Sequence, residues 1–146
     1  MTEIANYDFE QIKIGHVEEF NVFISENMVN EFAKISGDLS PIHVDEEYGL
    51  TTQFGQRVCH GMLLASFFSR LVGMKLPGRT ALYVSQSLNF VSPCFIDQEV
   101  IVRGEVVSKS TATRIITLKT SIRTSYEKEL VRGEAKVLVR KEHVKK

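Results

Sequence analysis

The sequence has little of what marks a secreted or a nucleic-acid-binding protein. Its 146 residues include only two cysteines, Cys59 and Cys94, which do not form a CxxC pair, and no N-x-[ST] sequon. This composition indicates neither a disulfide framework nor a secreted glycoprotein. Lysine plus arginine equals aspartate plus glutamate at 18 each. Without a positive field, nucleic acid and anionic membranes are not expected as partners.

A long apolar segment is also missing. The longest apolar stretch, residues 61–68, is interrupted by Ser66 and is far shorter than the ~20 residues of a membrane span. Three acidic residues precede the first basic one, which fits neither a signal peptide nor a transit peptide. We therefore expect a soluble cytoplasmic protein, with residues 1–146 forming a single domain. The basic residues 140–146 are expected to be a solvated tail.

The first part of the chain predicts a strand, a helix and a long connection. Residues 16–24 have the β-branched and aromatic residues of a strand. Ser25 then supplies an N-cap, apolar residues recur at helical spacing to Ile35, and Gly37 is a suitable helix stop. Residues 38–56 are polar and turn-rich, with a short helix inside them. A connection of this length usually carries function.

The second part predicts a sheet around a central helix. Residues 61–72 are apolar almost all round, so this helix must be enclosed on several sides. Four segments with strand character follow, at residues 80–90, 99–107, 113–126 and 129–140. The chain thus predicts about five strands and two or three helices.

The sequence also predicts an apolar face and a hairpin within the sheet. Alternation in its first long segment places four apolar residues on one face: Leu82, Val84, Leu88 and Phe90. The polar pair Glu127 and Lys128 favours a tight hairpin between the last two strands. The glycines match no phosphate-binding fingerprint, so no nucleotide cofactor is expected.

The heptapeptide GDLSPIH places Asp38 five positions before His43, with a turn-forming proline between them. Histidine exchanges a proton near neutral pH and a carboxylate can orient a water, so this pair can activate a water molecule. Gly61, within CHGMLL, opens the apolar helix, where backbone N–H groups lack intrahelical partners. Its N–H can therefore stabilise an oxyanion.

Simpler interpretations of these residues remain open. An aspartate and a histidine around a proline also occur in ordinary capped turns, where the histidine has no chemical role. The spacing of His43, Asp45 and Glu46 matches no common metal site, and no metal is expected. His60 is interpreted as a packing residue at the start of the helix rather than as a second base.

Three segments resemble the MaoC-like, (R)-specific enoyl-CoA hydratases, also described as 3-hydroxyacyl thioester dehydratases. They are FAKISGDLSPIHVDEEY, FGQRVCHGMLLAS and SLNFVSPCFIDQEV, and the resemblance covers most of the chain. It implies an α+β hot-dog fold, in which an antiparallel sheet wraps around a long central apolar helix. It also implies a homodimer or a higher oligomer of dimers, and no cofactor, because the thioester supplies the activation.

The resemblance also implies a role for particular residues. The catalytic aspartate and histidine of the family fall on Asp38 and His43, and its oxyanion-hole glycine falls on Gly61. Ser40 stands where the family usually has asparagine, and its side chain is expected to cap the turn. Ser40 and Met62 are expected to contact substrate.

The implied reaction is the reversible (R)-specific hydration of trans-2-enoyl-CoA to (R)-3-hydroxyacyl-CoA, in fatty acid metabolism. The substrate carrier would be coenzyme A, with acyl carrier protein as the other candidate. Whether Asp38 or His43 is the formal base stays open. One alternative is a hot-dog acyl-CoA thioesterase. Another is a non-catalytic acyl-thioester binding module, against which the joint presence of Asp38 and His43 argues.

Overall fold

The computed structural model describes residues 3–142, which form one antiparallel sheet wrapped around a central helix. The first elements are a 3₁₀ turn Phe9–Gln11, β1 Val17–Ile24, α1 Glu26–Ser36, α2 Pro41–Val44, α3 Glu46–Thr51 and α4 Gly61–Arg70. The strands that follow are β2 Ala81–Gln86, β3 Asn89–Phe90, β4 Gln98–Ser110, β5 Ile115–Thr124 and β6 Glu129–Val139. Their order in the sheet is β1-β4-β5-β6-β2, with β3 also paired to β6. This is the hot-dog architecture that the resemblance implied.

The boundaries of α1 confirm the helix signals in the sequence. The Ser25 hydroxyl accepts a hydrogen bond from the Met28 N–H at 3.2 Å, as an N-cap does. Gly37 ends the helix with a φ of 79°, a left-handed conformation that glycine adopts without steric cost. The segment that begins at Asp38 is therefore placed directly at the end of a capped helix.

The central helix is longer than predicted and is covered on only part of its circumference. After α4 it continues as a π-helical turn, Leu71–Lys75. Its residues Leu63, Leu64 and Phe68 are buried against the sheet, as expected. Met62, however, is 56% exposed, and it lies on the wall of a groove of about 380 Å³ that opens beside β2. The expected enclosure of this helix is thus incomplete within residues 3–142.

The predicted strand 80–90 is interrupted, which raises the number of strands to six. A register shift between Tyr83 and Ser85 marks a bulge against β6, and a Cβ atom on Gly133 of β6 would collide with the Ser87 carbonyl oxygen. A bulge moves the following side chains to the opposite face. The prediction of one shared apolar face was therefore wrong: Leu82 and Val84 are exposed, whereas Leu88 packs against the core.

Two smaller predictions concern the end of the chain. The β5–β6 connection runs from Ser125 to Lys128, with Glu127 in the left-handed region at a φ of 69°, so the hairpin is wider than the predicted pair. Residues 140–142 of the predicted tail are exposed, and residues 143–146 lie outside the described part of the chain. Among residues 3–142, no helix is long and apolar enough to cross a membrane. The cytoplasmic location stays a prediction.

Candidate active site

Asp38 and His43 face each other across the turn between α1 and α2. The His43 Nε2 atom lies 3.8 Å from Asp38 Oδ2, and the two side chains are 17% and 49% exposed. The other carboxylate oxygen, Oδ1, accepts a hydrogen bond from the Ser40 N–H at 3.2 Å. The expected side-chain cap from Ser40 is not formed in α2, because the Asp38 carboxylate closes this turn instead. Ser40 therefore orients Asp38 through its backbone.

The tautomer of His43 follows from a second contact. Its Nδ1 atom lies 2.6 Å from the Val58 carbonyl oxygen. A carbonyl can only accept a hydrogen bond, so in the neutral ring Nδ1 carries the proton and Nε2 keeps its lone pair. The Val58 N–H in turn donates to the Ile42 carbonyl at 3.0 Å, and this bond holds α2 against the backbone at Val58. The basic nitrogen of His43 is thereby directed toward Asp38.

The buried His60 side chain contacts both candidate catalytic residues. Its Nε2–H donates to the Asp38 carbonyl oxygen at 3.0 Å, and its ring stacks on His43 with centroids 4.0 Å apart. The side chain is only 2% exposed. Burial lowers the pKa of His60, although the bond to the Asp38 carbonyl opposes this shift. A buried, neutral ring of this kind fits the packing role expected for His60.

Asp38, His43 and His60 lie close enough together to be candidate metal ligands. Ligand atoms of Asp38, His43 and His60 lie within 4.8 Å of one another. The two imidazole planes are only 26° apart, however, and ring lone pairs lie in the ring plane. Stacked rings direct these lone pairs side by side, whereas a tetrahedral site requires convergence on one point. The geometry gives no support to a metal here, and its absence stays a prediction.

A cavity of about 370 Å³ begins beside His43. Its wall is mainly apolar and includes Cys59, Gly61, Met62, Leu64, Phe90 and Cys94. Two predicted site residues, Gly61 and Met62, thus share this wall with His43. Asp38 and Ser40 do not line this wall, and Asp38 lies next to it through its contact with His43.

Gly61 is the first residue of α4, where an N–H group has no intrahelical acceptor. A Cβ atom at this position would lie 2.7 Å from Cδ1 of the Phe90 ring. A side chain at this position therefore requires the Phe90 ring to move. The N–H group remains available at the edge of the cavity.

Arg57 is a site residue that the sequence did not reveal. Its Nε–H donates to the His43 carbonyl at 2.6 Å, and its terminal nitrogens bind Glu26 at 2.9 Å and Asn30 at 2.6 Å. The side chain is only 7% exposed. Arg57 therefore ties the turn that carries His43 to α1. Its partners lie 14 to 31 positions away along the chain, so no local pattern could have identified it.

Replacing Arg57 with methionine, which has a similar reach but no donors, is expected to lower the free energy of unfolding. The expected loss is about 1.5 to 3 kcal/mol, the scale of hydrogen bonds to charged groups. Glu26 is 65% exposed, so its ion pair contributes little, and Glu26→Gln should cost under ~1 kcal/mol. Urea unfolding of both variants measures the difference. Equal losses would show that the ion pair, and not the anchoring of His43, stabilises this region.

The fold and the site define a class: a hot-dog protein with an aspartate–histidine pair beside the open N-terminus of its central helix. Residues 9–128 match the family model described as MaoC like domain. The chain belongs to the MaoC-like domain family.

Named relatives cover most of this chain. The (R)-specific enoyl-CoA hydratase of Rhodospirillum rubrum is 40% identical over 131 residues, 90% of this chain and 90% of the relative. The (R)-specific enoyl-CoA hydratase of Aeromonas caviae is 38% identical over 128 residues, 88% of this chain and 96% of the relative. The unliganded structure of an R-hydratase from Pseudomonas aeruginosa has a TM-score of 0.91 at 31% identity, covering 95% of this chain and 89% of that one.

Proposed function

We propose that this protein catalyses the reversible (R)-specific hydration of trans-2-enoyl-CoA to (R)-3-hydroxyacyl-CoA. The observation that carries the proposal is the pairing of Asp38 with a His43 ring whose Nε2 is free to act as a base. Relatives named as (R)-specific enoyl-CoA hydratases, similar over about nine-tenths of the chain, support the same reaction.

In this proposal the attacking water binds between Asp38 and His43. A separation of 3.8 Å is too long for a direct hydrogen bond, but it lets one water oxygen approach both Oδ2 and Nε2 closely. The water adds to C3 of the enoyl thioester, and a proton is delivered to C2. Nε2 of His43 is suited to proton transfer because Val58 holds the ring in the required tautomer.

Negative charge develops on the thioester oxygen as water adds. The Gly61 N–H would bind this oxygen, aided by the positive end of the α4 macrodipole. The apolar wall of the 370 Å³ cavity, including Met62 and Phe90, would hold the acyl chain. We favour coenzyme A as the carrier, because the balanced charge of the chain offers no broad basic surface to an acidic carrier protein.

The test is to add crotonyl-CoA to the purified protein and to follow the loss of enoyl-thioester absorbance, with free thiol assayed in parallel. Loss of absorbance without thiol, together with a chiral assay that finds the (R)-alcohol, is the expected result. Release of thiol would replace this proposal with a thioesterase. Binding of acyl-CoA without turnover, for both short and long enoyl chains, would support a non-catalytic acyl-thioester binding module instead.

We also propose that two copies of the chain pair through β2. This strand ends the sheet order, and an edge strand presents unpaired backbone groups to a partner. Leu82 and Val84 of β2 are each 53% exposed, and the 380 Å³ groove that leaves Met62 uncovered lies beside the same strand. A second copy at this edge would cover both features.

Leu82→Glu is therefore expected to convert a dimer to a monomer, because it would bury an unpaired charge in the interface. The matched control is Phe23→Glu on β1, the other edge of the sheet, where the side chain is 52% exposed. Light scattering after size exclusion gives the mass of each variant. A wild-type monomer, or dissociation by Phe23→Glu alone, would contradict the β2 interface.

A further inference from the structure

The two cysteines, which lie 35 positions apart in the sequence, meet on the wall of the cavity. Val58 and Phe95 form an antiparallel bridge, so the next pair in this register is Cys59 opposite Cys94. The Cys59 N–H donates to the Cys94 carbonyl at 2.7 Å, so the two backbones are in direct contact at these positions. Both side chains are buried, at 3% and 2% exposed, and both line the 370 Å³ cavity.

This placement suits a covalent bond between the two sulfurs. Hydrogen-bonded partners on antiparallel strands have Cα atoms about 5.5 Å apart. Disulfides most often join Cα atoms about 5.5 to 6 Å apart, so a pair of neighbouring antiparallel segments falls within the usual range. We propose that Cys59 and Cys94 form a reactive dithiol on the cavity wall, and that hydrogen peroxide converts it to an intramolecular disulfide.

The environment of the thiols distinguishes their roles. A hydrogen bond from the Cys59 thiol lowers the pKa of Cys94. The same contact, together with burial, raises the pKa of Cys59. Because the thiolate is the nucleophile, the proposal places the first attack at Cys94 and the resolving step at Cys59.

The chemistry balances with peroxide as the oxidant. The Cys94 thiolate attacks one peroxide oxygen, the O–O bond breaks, and Cys94 sulfenic acid and hydroxide form; hydroxide takes up the proton that Cys94 released. The Cys59 sulfur then attacks the Cys94 sulfur and displaces the hydroxyl group, which leaves as water with the Cys59 proton. The two sulfurs are oxidised, the peroxide is reduced, and two waters are produced.

The test treats the full-length protein with hydrogen peroxide, blocks free thiols and measures the mass of the chain and of its peptides. The expected product is a chain about 2 Da lighter that is not crosslinked to another copy, with peptides containing Cys59 and Cys94 joined, and dithiothreitol should reverse the change. Two thiols that stay free, or a disulfide between chains, would overturn the proposal. Oxygen addition at either cysteine without a crosslink would also overturn it.

Single variants test the order of the two steps. In Cys59→Ala, Cys94 should be trapped as a sulfenic acid by a dimedone probe, because no resolving thiol is present. In Cys94→Ala, Cys59 should stay reduced under the same treatment. Labelling of Cys59 in preference to Cys94 would overturn the assigned roles. The wild-type mass measurement stands independently of whether either variant folds.

Discussion

His43→Ala is expected to lower kcat for the hydration of crotonyl-CoA by about 100- to 10,000-fold, the usual contribution of a positioned general acid–base. Alanine removes the Nε2 atom that lies 3.8 Å from Asp38, and with it one of the two groups proposed to hold the water. His60 cannot substitute, because it is buried and its Nε2–H is bound to the Asp38 carbonyl. Steady-state kinetics at neutral pH measure the effect.

One further variant tests Asp38, and another serves as a control for His43→Ala. Asp38→Asn keeps an oxygen that can accept the Ser40 N–H but removes the negative charge, so kcat should also fall while the fold is retained. His16→Ala removes a partly buried histidine that pairs with Glu18 on β1, and it should leave kcat unchanged. Nearly full activity in His43→Ala, with unaltered circular dichroism, would remove His43 from the mechanism.

Gly61→Pro is expected to lower kcat by about 100- to 1,000-fold relative to Gly61→Ala, the cost of losing one oxyanion-hole donor. Proline has no N–H, yet it is favoured at the first position of a helix. The residue before a proline must be extended, and His60 already is, with φ −60° and ψ 129°. The substitution therefore deletes the donor with little change to α4.

Gly61→Ala is the matched control for this comparison. Both variants add a Cβ atom that meets the Phe90 ring, and only proline also removes the N–H group. Phe90 is 52% exposed, so its ring can move aside in both variants. Equal kcat values for the two proteins, with similar melting temperatures, would show that the Gly61 N–H does not bind the developing oxyanion.

Local sequence signals were sufficient for most of the elements. Ser25 and Gly37 predicted the ends of α1, and the structure confirmed them. The prediction succeeded because capping depends on residues within one turn of the helix end. The alternating pattern of residues 80–90 predicted a strand there but placed its apolar residues wrongly after Tyr83. A bulge depends on the partner strand, here β6, whose Gly133 lies against the Ser87 carbonyl. The bulge is therefore not visible in the strand's own residue pattern.

The sequence by itself determined the Asp38–His43 spacing and the position of Gly61 at the start of an apolar helix. These features depend on neighbouring residues, whose geometry a turn or a helix end restricts to a few conformations. Only the tertiary structure decided the tautomer of His43, the anchoring by Arg57 and the meeting of Cys59 with Cys94. Each of these depends on a hydrogen bond between residues at least 14 positions apart, and such pairs come together only when the hydrophobic core closes.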